Sequence, residues 1–372
     1  MSGRLEFFGN VGNVRYAWKL KLNFTDVKGD SRICFSQFCR FLIILFLFNS
    51  LAAHAESYYV SNDGSDTQDG LSPETAWQSL ERVNQETMKP NDAVRFRRGD
   101  TWRGQLIPQS GDETGYVTYG AYGVGNKPLL LGSVSANKPN DWQQEQKNYW
   151  VTTSPFVIDV GNIIFNEGES VGIKKWSQDD LKQQGDYWYA PETKQVKIYC
   201  PQNPASIYTS IELALRQHII PIHGKSYITI EDLALRYGAA HGIGCSNTHH
   251  TIISRCDLSY IGGGHQYTTK EGHPVRYGNG IEFWSNAHDH LVEKCRLWEI
   301  YDAALTNQNN APNVKQYNIT YRQNLIWNCE YSFEYWNRPE NSLTYNIYFE
   351  NNTCVNAGHG WGHQQRPDPS GR

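Results

Sequence analysis

Two short stretches carry the same arrangement of chemistry-bearing side chains: Asn279-Gly-Ile-Glu-Phe-Trp284 and Tyr331-Ser-Phe-Glu-Tyr-Trp336. Each places a carboxylate two residues before a tryptophan, with an apolar residue just ahead of the carboxylate. Side chains alternate between the two faces of an extended strand, so each Glu shares a face with its Trp while the apolar residues point the other way. Paired carboxylates at a fixed separation suit acid–base cleavage: one donates a proton to a leaving oxygen and the other activates water. Neighbouring tryptophans would supply flat apolar surface for stacking.

A repeat brings the two stretches together. Five segments align: Ile228–Leu235, Thr251–Leu258, His290–Leu297, Ile319–Ile326 and Ile347–Cys354. Each precedes a second short strand, beginning at His241, Asn279, Ala303, Tyr331 and His359. With Leu233, Cys256, Cys295, Asn324 and Asn352 as equivalents, the spacings are 23, 39, 29 and 28 residues. Such periods, built from short alternating strands without a helical pattern, predict an all-β solenoid. Ile243, Ile281, Leu305, Phe333 and Trp361 take the inward position. The next outward column then reads Gly244, Glu282, Thr306, Glu334, Gly362, and the one beyond it Ser246, Trp284, Gln308, Trp336, Gln364.

Glu282 and Glu334 are thus separated by one rung. Parallel strands lie about 4.8 Å apart, which sets their backbones roughly 10 Å apart. Inverting glycosidases hold acid and base at about 6.5–9.5 Å, a gap that side-chain tilt covers, whereas retaining enzymes need about 5–5.5 Å. The expected catalytic set is Glu282 and Glu334 as acid and base with Asp302 assisting. Trp284, Trp336, Gln308 and Thr306 are expected to contact substrate. Asp302 and Glu330 fall at matching positions in the turns entering adjacent rungs, where they could enlarge the acidic site, bind a cation or simply cap turns. The plainer alternative makes the two glutamates solvated strand residues and the tryptophans a cover for the sheet.

The 39-residue spacing holds an excess, mostly 262–277, that leads directly into the Glu282 strand and should overhang the groove. His265, Lys270, His273 and Arg276 are its polar candidates, and Arg338 follows the Trp336 strand. His265, Arg276 and Arg338 are expected to meet substrate, and cations there would suit an acidic glycan. They also support a second reaction class, proton abstraction next to a uronate carboxylate, with the acids serving as cation ligands. A non-catalytic glycan-binding protein is the third reading.

Earlier in the chain, Tyr58–Gly70 reads as a strand and turn-rich loop, Ser79–Glu86 as a short helix, and Ala93–Arg103 as a strand with a Gly99-Asp-Thr101 turn. This order resembles the entry of right-handed parallel β-helix proteins of the pectate-lyase-like superfamily, many of which degrade polysaccharides. The resemblance spans Tyr58 to the C-terminus. It implies a right-handed parallel β-helix with a substrate groove on the outer face of the first sheet. It is specific for fold and weak for reaction. Residues 56–135 are expected to form the cap and first rungs, 136–210 a small β-rich insertion with a hairpin turn at Pro191–Lys194, and 211–372 the regular rungs, with no cap visible at their C-terminal end.

The chain has 372 residues, a formal net charge of −4, 12 Trp and 23 Tyr, which argues against a basic nucleic-acid binder and leans toward sugar. A monomer is expected. The apolar run Phe41–Phe48 behind Arg40, ending in Ala53-x-Ala55, predicts a secretory signal within residues 1–55, cleaved after Ala55 and delivering a secreted, periplasmic or cell-surface protein. The run is too short for a bilayer span of roughly 20 apolar residues. Of eight cysteines, Cys256 and Cys295 occupy equivalent rung positions and read as buried thiols. No metal-ligand set stands out: His359-x-x-x-His363 needs a helix to converge, and the Asp63–Asp69 loop offers calcium-type acids without a closing bidentate Glu. No cofactor is expected, calcium being the one candidate.

Overall fold

The computed structural model describes residues 3–11, 14–22 and 55–365 and divides into two units, Met1–His54 and Ala55–Arg372. In the first, Gly3–Val11 and Val14–Leu22 pair as an antiparallel hairpin. The apolar run 41–48 and Ala53 lie outside the described residues.

The second unit is built on stacked parallel strands. One sheet joins, in spatial order, Tyr331–Asn337, Ala303–Asn309, Ile281–Glu293, Ile243–Ser254, Ser226–Glu231, Val117–Tyr122, Ala93–Arg97 and Ser57–Val60. Another joins Thr353–Val355, Leu325–Trp327, Arg296–Ile300, Asp257–Ile261, Ala234–Arg236, Leu129–Leu131 and Thr101–Arg103. Every pairing within both is parallel, and the chain visits them alternately. That is the path of a parallel β-helix.

The first sheet folds across two faces. Ile243–Ser254 and Ile281–Glu293 shift register between Ser246 and Thr248. Before that point they align with Ile220–His223, Ala303–Asn309 and Tyr331–Asn337, and after it with Ser226–Glu231, Lys315–Arg322 and Leu343–Glu350. Each eight-residue repeat segment is likewise two strands and not one. Its break lies at a left-handed residue just before the repeat marker: Asp232, Arg255, Lys294, Gln323 and Asn351, with φ of 53–57°. Non-glycine residues resist this conformation by roughly 1–2 kcal/mol each. Contacts between coils offset the cost, as where Arg255 pairs with Asp232 and Glu231, each at 2.8 Å.

Alternation fills the interior. Ile243, Ile281 and Leu305 are fully buried in one column and Leu235, Leu258, Leu297 and Ile326 in another. Cys256 and Cys295 are buried free thiols. Their position forms a ladder: the Cys295 N–H donates to Asn324 Oδ1 and the Asn324 N–H to Asn352 Oδ1, both at 2.9 Å. The helix Leu80–Gln85, N-capped by Ser79, covers the first coils with Leu80 and Val83. The interrupted region forms a five-stranded sheet, whose hairpin turns at 191–194, and a four-stranded sheet of Ser133–Ser135, Val160–Phe165, Ser170–Val171 and Ile211–Leu215. The excess at 262–277 is an antiparallel hairpin, Gly264–Thr268 with Pro274–Tyr277.

The fifth inward position departs from expectation. Trp361 joins no strand. Its ring packs at 5.3 Å from Tyr301, and its backbone N–H donates to Glu299 Oε2 at 2.8 Å. Gly362 beside it lies against the Tyr301 ring, and the Gln364 side chain is outside the described residues. Glycine at 360, where a Cβ would meet the Asn328 carbonyl at 2.9 Å, lets this segment cross close to the coil turns instead of stacking as another strand.

Candidate active site

A cavity of about 520 Å³ opens on the first face, between the strands and the overhanging hairpin. Glu282, Asp302, Glu334, Trp284 and Gln308 line it from the coils, and Gln266, Val275, Arg276 and Tyr277 from the hairpin. Strand register sets the carboxylates: Gly244 pairs with Glu282, Glu282 with Thr306, and Thr306 with Glu334. Gly244 keeps the wall low, because a Cβ there would reach the His218 ring at 3.0 Å.

Glu282 sits in the cavity wall, 7% exposed. The Asn279 amide donates to its Oε2 at 2.5 Å, and His241 Nε2 lies 3.3 Å from Oε1. His241 Nδ1 accepts the Asn279 backbone N–H at 3.0 Å, so the ring proton belongs on Nε2, facing the carboxyl. His241 stacks on His218 at 4.8 Å and 13°, and burial pulls both imidazoles down to about 3, leaving them neutral. Burial likewise pushes Glu282 up to about 7; the Asn279 hydrogen bond opposes this and the Asp302 carboxylate adds to it. Glu282 is therefore a protonated acid in mildly acidic solution, lining one cavity with two further carboxylates.

His218, His241 and Asn279 were not singled out by their types, yet register makes them one column, each two residues before the inward Ile220, Ile243 and Ile281. Each side chain accepts the backbone N–H of the next rung: His218 from His241 at 3.2 Å, His241 from Asn279 at 3.0 Å, and Asn279 from Ala303 at 2.9 Å. The matching His241-Gly-Ile and Asn279-Gly-Ile triplets were the available signal.

The remaining expected residues divide. Glu334 is half-buried and accepts from Gln308 Nε2 at 2.6 Å. Trp284 and Trp336 lie nearly parallel, centroids 6.0 Å apart, but only Trp284 lines the cavity. Arg338 stacks on the outer Trp336 at 5.2 Å. Thr306, between the two glutamates in strand register, is fully buried and not in the cavity lining. Arg276 reaches the lining, but its guanidinium holds the hairpin down, donating to the Gly263 and Gly161 carbonyls and to Gln365 while lying over Tyr301. Glu330 is buried and bonded to His363 Nδ1 at 2.9 Å.

His265 faces another cavity of about 610 Å³, shared with Asp159, Lys174, Trp176, Trp188 and Arg216. Gln266 lines both cavities, so the hairpin forms the wall between them. The carboxylates of the Asp63–Asp69 loop are engaged by protein donors: Asp63 by Arg97, Asp66 by Ser79, and Asp69 by Thr75.

No family model and no curated protein matches the chain. Among solved structures it is similar to XylC in complex with xylose, at 11% identity and a TM-score of 0.41 over 78% of this chain and 69% of that one. It is similar to a GH136 lacto-N-biosidase from Eubacterium ramulus, at 13% identity and a TM-score of 0.37 over 86% of this chain and 71% of that one. It is also similar to pectate lyase Pel9A, at 11% identity and a TM-score of 0.39 over 76% of this chain and 56% of that one. The parallel β-helix assignment rests on the strand pairing and not on these likenesses.

Proposed function

We propose that this chain is an exported glycoside hydrolase that cleaves a polysaccharide or oligosaccharide with inversion. The observation that carries the reading is a buried carboxyl, Glu282, in one cavity with Glu334 and Asp302, where burial pushes it up to about 7. A protonated Glu282 gives its proton to the glycosidic oxygen as the bond to the sugar breaks. Glu334, oriented by Gln308, takes a proton from the water attacking the opposite face, with Asp302 assisting. The resulting Glu282 carboxylate is received by the Asn279 amide and the His241 Nε2–H. Trp284 offers its ring to a sugar face. Export with cleavage after Ala55 is part of the proposal. The new amine at Glu56 would arise where the backbone nitrogen already lies 2.8 Å from Asp92 Oδ1, a carboxylate of a buried residue.

A polysaccharide lyase is the second reading, favoured by Tyr277 and Tyr331, the candidate bases in the cavity lining. Of the bases expected from sequence, Arg276 is bonded to backbone carbonyls and His265 faces the other cavity. Incubation of the mature chain with a glycan panel separates the readings. New reducing ends without ultraviolet absorbance from unsaturated uronate support hydrolysis. Absorbance rising in step with chain cleavage would overturn it in favour of the lyase, and binding without cleavage would leave a glycan-binding protein.

A further inference from the structure

Across the register shift, on the second face, a separate group of side chains has the chemistry of a metal site. His249 and His288 are in register on adjacent coils, followed by Tyr317 and Tyr345. The four rings stack at centroid spacings of 5.0, 4.6 and 5.1 Å, tilted by no more than 8°. The next residue on each coil, His250, Asp289, Asn318 and Asn346, is left-handed with φ of 54–57°. There Asn346 donates to Asn318 at 3.0 Å and Asn318 to Asp289 Oδ1 at 2.9 Å. The amide ladder thus ends on a carboxylate, and on the following coil stands His250. None of these residues lines either cavity.

We propose that His250, His288 and Asp289 bind a divalent first-row transition ion such as Zn2+, with His249 orienting His250. One donor atom from each of the three lies within 4.8 Å of the others, and all three residues are half-buried. Zinc bonded at about 2.0–2.1 Å in tetrahedral geometry needs donors roughly 3.3 Å apart, a span that small side-chain rotations close. Two imidazoles and a carboxylate favour such an ion over calcium or magnesium, which take oxygen ligands.

The surroundings already fix the ligands. Tyr227 stacks on His250 at 4.6 Å and Tyr317 on His288 at 4.6 Å. The ion would replace the present contact of Asp289 Oδ2 with His288 Nδ1 at 2.7 Å, while from outside the ligand set His249 Nδ1 lies 2.9 Å from His250 Nδ1 and Asn318 donates to Asp289 Oδ1 at 2.9 Å. Such outer partners orient ligands and raise affinity. The ion would join two neighbouring coils, strengthening the solenoid away from the carboxylate cavity.

Calorimetric titration of chelator-treated mature chain with ZnCl2, with CaCl2 as the comparison, tests the site. The expected result is saturable one-site zinc binding that raises Tm, with no calcium response. Asp289→Asn is the decisive variant, because asparagine already occupies this ladder position at 318 and 346, so the fold should persist. Zinc affinity should fall in Asp289→Asn by more than the roughly 10–100-fold that loss of an outer partner costs and disappear in His288→Ala, while His359→Ala, at an exposed position, should bind as the unaltered chain does. Absence of saturable zinc binding, or binding unchanged in both Asp289→Asn and His288→Ala, would overturn the proposal.

Discussion

Replacing Glu282 by glutamine should make the protein relatively more stable as pH rises. The carboxyl's ordinary value is 4.5, and burial raises it to about 7 in the folded chain. Between those values the folded state holds a proton that the unfolded state has released, so stability falls with increasing pH and the loss is complete above about pH 7. At ~1.36 kcal/mol per pH unit, the full separation corresponds to about 3 kcal/mol. The amide cannot ionise and carries no such penalty. It also cannot accept from both Asn279 and His241, which costs about 1–3 kcal/mol for the donor left unpaired, at every pH. That constant cost cancels when the stability difference between variant and unaltered chain at pH 5 is subtracted from that at pH 8. Urea unfolding at the two pH values should therefore show a relative gain of about 2–3 kcal/mol for Glu282→Gln at pH 8, because part of the separation is already lost at pH 5, above the ordinary value of 4.5. An unchanged difference would mean that Glu282 is solvated and ionises as an ordinary glutamate, which would remove the reason for calling it the acid.

His218, His241 and His290, each pulled down to about 3 by burial, are neutral in the folded chain and gain protons on unfolding below about pH 6.5. Stability should thus decline as pH falls from 6.5 towards 3, and a fold equally stable at pH 4 and pH 7 would contradict their burial. Trp284→Ala should weaken glycan binding while the fold persists. Phe283→Ala, whose fully buried ring stacks on His290 at 4.1 Å, should cost about 3–5 kcal/mol in chemical unfolding. The reverse pattern would place the strand one residue out of register. Mass spectrometry of exported protein should find Glu56 as the first residue, and an intact start at Met1 would refute cleavage after Ala55.

The alternation that lets Ile281 point in and Glu282 point out is a property of any strand, so the carboxylate column and its one-rung spacing could be read directly from the repeat. The hairpin over the cavity was legible as the excess that breaks the period. The turns were not. Sequence signals for left-handed residues rest on Gly and Asn, whereas this solenoid places Asp232, Arg255, Lys294 and Gln323 there and offsets the strain with contacts between coils. That disguise hid the break within each repeat segment. The polar column of His218, His241 and Asn279 escaped for a related reason: its role is to accept backbone N–H groups across rungs, and residues of different type perform it equally well. Trp361 fitted the spacing, but packing against Tyr301 and the Glu299 hydrogen bond determine its place. Periodicity cannot foresee such long-range contacts.

The division of labour between Glu282 and Glu334 is tested most directly by the leaving-group dependence of their amide variants. A dinitrophenolate leaves without help, whereas a sugar alcohol must be protonated, and general acid catalysis contributes typically about 10²–10⁴-fold. On the natural glycan, Glu282→Gln and Glu334→Gln should each lose activity on that scale. On the dinitrophenyl glycoside of the same sugar, Glu282→Gln should recover most of the unaltered rate while Glu334→Gln remains inactive, because attacking water still lacks its base. Equal losses of Glu282→Gln on both substrates, or near-normal cleavage of the glycan by either variant, would contradict the assignment of Glu282 as acid and Glu334 as base.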